Sequence, residues 1–203
     1  MEKFKKIFLC SYCFFLCSIK SIAQDSLSNK QVVYFRITAG GGIGKGYPQS
    51  EGQIGIGGSL EAAIQKRNNS YSLGIRTLGE FVLFNNTNVH NNINSADIMY
   101  GKVLSAHVFF CSISGGISYV YSEQEGDLIS REGGWFFGRF NYQSIKTASV
   151  GLPLSFKTMW IPTKYYGIGI DFYANINRIN SFYSINFCHQ FGRLRPSRVK
   201  NNR

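Results

Sequence analysis

The sequence predicts an all-β fold, an eight-stranded antiparallel up-and-down transmembrane β-barrel, on three observations. Apolar residues recur at every second position from Val33 to Phe191, segment after segment. The connections between segments alternate short and long. Ahead of them stands a short apolar run with the form of an export signal, so the barrel belongs outside the cytoplasm.

That leading run comes first in the chain. Lys3, Lys5 and Lys6 supply a basic start, and Ile7 to Ile19 is apolar but, at roughly 13 residues, too short for a spanning helix. Ser21, Ile22 and Ala23 put small residues where a signal peptidase reads, which predicts cleavage after Ala23. The residues before Cys10 and Cys17, Leu9 and Leu16, are too bulky for a lipoprotein signal. The expected organisation is a signal peptide over 1–23, a barrel domain over 24–195 and a basic tail over 196–203. About 180 residues remain after cleavage, enough for one domain.

Eight alternating segments follow, over 32–43, 53–65, 70–83, 97–104, 107–121, 146–160, 165–177 and 181–191. The first places Arg36 on its polar side. In the second, Ile54, Ile56, Leu60, Ala62 and Ile64 oppose Gln53, Ser59, Glu61 and Gln65, with glycines on both sides. The third and fourth carry Arg76, Glu80 and Asp97 on the polar face, and the fifth ends in Tyr119 and Tyr121. In the sixth, Val150, Leu152, Leu154, Phe156 and Trp160 oppose Ser149, Gly151, Ser155 and Lys157, with Pro153 the irregularity, since a proline cannot donate to a ladder. The seventh sets Ile168, Ile170, Phe172, Ala174 and Ile176 against Gly167, Gly169, Asp171, Tyr173, Asn175 and Asn177, and the eighth alternates through Tyr183, Ile185, Phe187 and Phe191. An even number of strands closes a barrel with both ends on one side. From a periplasmic start, the inner turns at 66–69, 105–106 and 162–164 are short, and the outer loops at 44–52, 84–96 and 122–145 are long; 178–180 is a tight outer turn. The third outer loop, with Trp135, Phe136 and Phe137, is expected to prolong its two strands as a protruding hairpin and is a candidate external contact loop.

Alternation alone does not say which face looks inward. The polar face carries many small residues, which suits a narrow eight-stranded lumen, whereas the apolar face carries the bulky ones. Arg36, Glu61, Arg76, Glu80, Asp97, Lys157 and Asp171 all fall on the polar face, three basic against four acidic, and are expected to form a lumen charge network of structural role. Arg36, Glu61 and Arg76 are expected to cluster, and Lys157 to pair with Asp171. The exceptions on the apolar face, Lys102, His107 and His189, all lie at inner strand ends, where Lys102 can reach water. Tyr100, Tyr119, Tyr121, Trp160, Tyr165 and Tyr166 fall toward strand ends, as an interfacial aromatic belt requires. Cys111 and Cys188 lie on opposite faces, so no disulfide is expected.

The formal charge of +11 is mostly terminal. The signal holds +3 and the residues from Arg193 to Arg203 hold +5, leaving about +3 for the body, with no basic and aromatic stripe to track phosphates. No nucleic-acid partner is expected. The glycine run from Gly40 to Gly46 lacks P-loop spacing and a following helix. His90, His107 and His189 have no triad partners nearby in the pattern, and neither metal nor cofactor spacing is present, so no catalytic, cofactor-binding or metal residue is assigned.

Gly151 to Pro153, Tyr166 to Asp171, Asn175, Asn177, Phe182 and the close at Phe191, Gly192, Arg193, Leu194 and Arg195 resemble the C-terminal half of a family of small outer-membrane β-barrel proteins of Gram-negative bacteria, similar to OmpA/OmpX-type eight-stranded barrels. The resemblance covers the last 50 residues or so, and the rest in pattern. It departs in that twelve residues follow Phe191, where such proteins often end on an aromatic. It implies location in the outer membrane, contact with outer-membrane lipid, and insertion by the barrel-assembly machinery. It implies no activity. The expected function is therefore a non-enzymatic barrel with a closed polar lumen and a structural or surface-interaction role. The alternatives are a lipid-modifying outer-membrane enzyme and an exported soluble barrel holding an apolar ligand.

Overall fold

The computed structural model describes residues 31–45, 52–80, 91–106, 108–132, 139–179 and 181–194. The signal segment, the basic tail, His90, His107 and the aromatic trio Trp135, Phe136 and Phe137 lie outside the described residues.

Eight strands form one closed antiparallel barrel: β1 (Gln31–Lys45), β2 (Gly52–Lys66), β3 (Asn69–Glu80), β4 (Asn92–Ala106), β5 (Phe109–Glu132), β6 (Arg139–Trp160), β7 (Tyr166–Asn177) and β8 (Ser181–Gly192). Each strand pairs with its sequence neighbour, and β1 pairs with β8 to close the ring. A walk along paired residues from Val32 through Gln65, Ser70, Gly101, Ser114, Ser155, Tyr173 and Ser184 returns to β1 at Gly42, ten residues further on. That stagger means strands tilted by roughly 40°. The outward row on β1 from Val33 to Ile43 then spans about 25 Å of height, the depth of an outer-membrane hydrocarbon layer.

The alternation sorts as the lumen reading requires. Outward residues such as Ile98, Val150 and Phe187 are 68%, 70% and 67% exposed, while their chain neighbours Asp97, Gly151 and Cys188 are buried. With apolar side chains outside and charges inside, a soluble barrel holding an apolar ligand has its faces the wrong way round. At the inner end, β2 and β3 meet in a two-residue turn where Arg67 adopts φ of 55°, the left-handed region that so tight a hairpin needs. Pro153 is buried in the lumen. The β5–β6 ladder omits the two rungs from Gly116 to Ile117 opposite it, since the proline offers no N–H there.

One boundary departs from the sequence reading, and one expected prolongation is present. β4 begins at Asn92, not 97, because Asn92 to Ala96 pair with β3 on one side and β5 on the other. β5 and β6 continue upward to a last rung between Glu132 and Arg139, the protruding hairpin of the third outer loop. β4 stops pairing with β5 at Glu123, so the nine residues from Gln124 to Glu132 rise roughly 30 Å along the strand beyond that neighbour.

Candidate functional site

The lumen is built from the inward positions of all eight strands. At mid-height six charged side chains, each nearly or wholly buried, join in one network. Arg36 on β1 reaches Glu61 on β2 at 2.9 Å, and Glu61 also meets Lys157 of β6 at 2.9 Å and Arg76 of β3 at 3.7 Å. Arg76 in turn donates from Nε to Asp97 of β4 at 3.2 Å and from Nη1 to Asp171 of β7 at 3.0 Å. Lys157 stands 4.0 Å from Asp171. Its 2.9 Å approach to Glu61 is a close ion contact but poorly aligned for a hydrogen bond. Three cations thus face three carboxylates in a space closed to water, where each depends on the others for solvation.

Neutral side chains complete the network. Arg36 donates from Nε to Gln190 and from Nη2 to the Tyr34 hydroxyl, each at 2.9 Å. Tyr173 donates its hydroxyl proton to Asp97 at 2.8 Å, and Ser155 donates to Asp171 at 2.7 Å. The Arg76 guanidinium lies 3.8 Å from the Tyr173 ring centre, a cation–π contact in a desolvated place. Asn175 ties Tyr173 to Ser118 through its Nδ2 protons. The sequence reading placed Ser155 and Tyr173 on the polar face but assigned neither of them, nor Tyr34 or Gln190, to the charge network; inward strand parity, which all four share, was the signal available for doing so.

Apolar layers close the lumen above and below. Leu78, Ile93, Val120 and Phe182 pack together toward the outer end, with Met99 and Tyr173 below them. Val103, Phe110, Met159, Ile161 and Cys188 pack toward the inner end beside Val32, Tyr34 and Ala63, and Leu194 folds against both inner groups. The glycine run is explained here: inward Gly42, Gly44, Gly55 and Gly57 leave the space that Leu78 and Ile93 fill.

The seven charged residues singled out from sequence do not all meet. Six form the network. Glu80 has the right parity but sits at the exposed outer end of β3, where its carboxylate accepts a hydrogen bond from Asn91 Nδ2 at 2.6 Å, and it is not a lumen residue. Nor is Lys157 an isolated partner of Asp171, because its nearer carboxylate is Glu61. Cys111 is half-buried on the outward face and Cys188 is buried in the lumen; both are free thiols.

His189 points outward near the inner end, its Nδ1 2.8 Å from the Tyr166 hydroxyl, with the two rings stacked. Among the described residues, no nucleophile or carboxylate contacts either ring. Among the described residues no group of His, Cys, Asp or Glu could hold a metal ion. On the outward face a furrow of about 680 Å³ runs between Ile113, Leu154, Phe156, Phe172 and Ile185, shaped by rows of apolar side chains.

Solved structures resemble this architecture. Neisserial surface protein A superimposes with a TM-score of 0.61 over 78% of this chain and 96% of that one, at 7% identity. Ail, the attachment invasion locus protein of Yersinia pestis, does so with a TM-score of 0.50 over 81% and 100% of the two chains, also at 7% identity. No protein-family model matches the sequence, and no curated protein matches it. At such identities the likeness speaks of fold. Eight strands in sequence order, a closed ring and an apolar outer wall give this chain the fold of the small eight-stranded outer-membrane β-barrels of OmpA/OmpX type.

Proposed function

We propose that this chain is a non-enzymatic outer-membrane protein that does not conduct, and that it presents the β5–β6 hairpin as a surface for contact outside the cell. The observation that carries the reading is the filled lumen, six buried charges in mutual contact held between two apolar layers, which supports a barrel with no continuous water path. The surroundings are outer-membrane lipid, reached after cleavage of the signal near Ala23 in a Gram-negative cell and insertion by the barrel-assembly machinery. The hairpin supports the contact role because β5 and β6 keep pairing beyond the last rung with β4, on a rigid base where loops are free to vary and to bind. Its described part exposes Leu128 and Ile129. The two similar structures, those of a surface protein and of an attachment invasion locus protein, support such a role.

In planar bilayers the purified protein is expected to give no steady conductance, while a Glu61→Ala/Arg76→Ala double variant, with the network cut, gives intermittent openings if it inserts. A steady channel from the unaltered protein would refute the sealed lumen. Cell fractionation followed by electrophoresis with and without boiling tests location and closure together: the protein is expected in the outer-membrane fraction, migrating faster before heating.

A further inference from the structure

The charges outside the lumen are distributed unequally between the two ends. Among the residues whose side chains are described, the outer end carries Glu80, Glu123, Glu125, Asp127, Lys146 and Arg178, four acids against two bases. The inner end carries Lys66, Arg67, Lys102, Lys164 and Arg193 and no acid at all. Three of these five gather on one side. Lys66 pairs in register with Asn69, and Asn69 with Lys102, so the three make one row across β2, β3 and β4, with Arg67 in the adjoining turn. Strand parity puts the row on the outward face, in line with exposed Tyr71 and Tyr100.

The row is organised. Asn69 Oδ1 accepts from Lys102 Nζ at 2.6 Å and from the Tyr100 hydroxyl at 3.1 Å. The Lys102 ammonium lies 5.9 Å from the Tyr100 ring centre, and Tyr100 packs against Tyr71 at 5.2 Å. Asn69 therefore fixes one ammonium donor of Lys102 and leaves two for a further acceptor. The site lies one step inward of the apolar band, the level of lipid headgroups, and two cations flank an amide at cross-strand spacing.

We propose that Lys66, Asn69 and Lys102, above the Tyr71 and Tyr100 rings, form a binding site for the phosphate of an anionic phospholipid in the leaflet on the short-turn side. The proposal rests on the membrane-barrel reading. Anionic lipid is favoured over a soluble anion because the row faces outward from the barrel wall, and the rings beside it suit the glycerol and upper acyl region of a lipid. Its consequence is a preference for one leaflet: the cationic inner end draws anionic headgroups, and the outer end, where acids outnumber bases among the described side chains, does not.

The test uses the full-length protein refolded into vesicles of phosphatidylcholine alone and of phosphatidylcholine with phosphatidylglycerol. It reads the temperature of the boiling-induced gel shift and the phosphatidylglycerol enriched around the protein on extraction into nanodiscs. Phosphatidylglycerol is expected to raise the transition temperature and to be enriched, each neutralised lysine lowering the enrichment about fivefold. Lys66→Gln/Lys102→Gln is expected to lose both effects while folding normally in phosphatidylcholine. Should that double variant fail to fold, Lys102→Gln alone must reduce the enrichment. Equal behaviour in the two lipids, or a preference unchanged in the variants, overturns the proposal. So does full stabilisation by inorganic phosphate in phosphatidylcholine vesicles, which would mark a site for free anions. Failure to insert into either vesicle would instead strike down the membrane-barrel reading, and this proposal with it.

Discussion

Replacing Glu61 with Ala is expected to destabilise the barrel by about 3–5 kcal/mol, the range for removing one partner from a buried ionic group. Glu61 is the member that Arg36, Arg76 and Lys157 share. Without it the lumen holds three cations against Asp97 and Asp171, and neither remaining carboxylate contacts Arg36, whose other partners are the neutral Gln190 and Tyr34. Bulk water cannot screen the excess, since apolar layers lie above and below. The measurement is urea unfolding in vesicles followed by tryptophan fluorescence, with the gel shift as a second readout. Glu61→Gln, which keeps the shape and loses the charge, is expected to cost nearly as much. A Glu61→Ala/Lys157→Met pair is expected to recover part of the loss. Unchanged unfolding of Glu61→Ala would show that the network adds nothing to stability.

The second large effect concerns a single methyl group at the closing seam. A Cβ at Gly40 would lie 2.1 Å from the Ile185 carbonyl oxygen and 2.6 Å from the Asn186 Cα, both backbone atoms of β8. Neither can yield as a flexible side chain would, so Gly40→Ala is expected to prevent β1 from docking on β8 and to abolish the heat-shifted form. Its neighbour provides the control. Gly41 faces outward, and a Cβ there would meet only the Gly55 carbonyl oxygen, at 3.7 Å, an ordinary contact. Gly41→Ala is expected to fold with stability within about 1 kcal/mol of the parent, as outward-facing substitutions without a special contact usually do. Two adjacent glycines with opposite outcomes would tie the glycine run to barrel closure; equal tolerance at both would detach it.

Much of this fold was legible in the chain because alternation is a local property. Successive side chains on a strand point to opposite faces whatever the rest of the protein does, so Ile170 and Asp171 are separated by geometry alone. The reading failed where the environment, not the period, changes. Asn92 to Ala96 looked like loop because Ile93 is apolar and faces inward while Asn92 and Asn94 are polar and face outward, an inversion of the rule. The inversion has a cause. At that height the lumen is filled by the apolar layer around Leu78 and Phe182, and the outer wall is leaving hydrocarbon, so the solvents on the two sides have exchanged. Glu80 fails for the same reason: parity assigned it inward, but only position along the barrel axis decides whether inward means lumen or rim.

The sequence by itself determined which residues face outward and which face inward, and how many strands there are, because each follows from short-range patterns of polarity. Only the tertiary structure decided that Lys157 answers Glu61 across the lumen, that Arg76 gathers Asp97 and Asp171, and that Lys66 and Lys102 flank Asn69. Those meetings depend on stagger and on the width of the ring, which are fixed only when β1 finds β8 and the sheet closes.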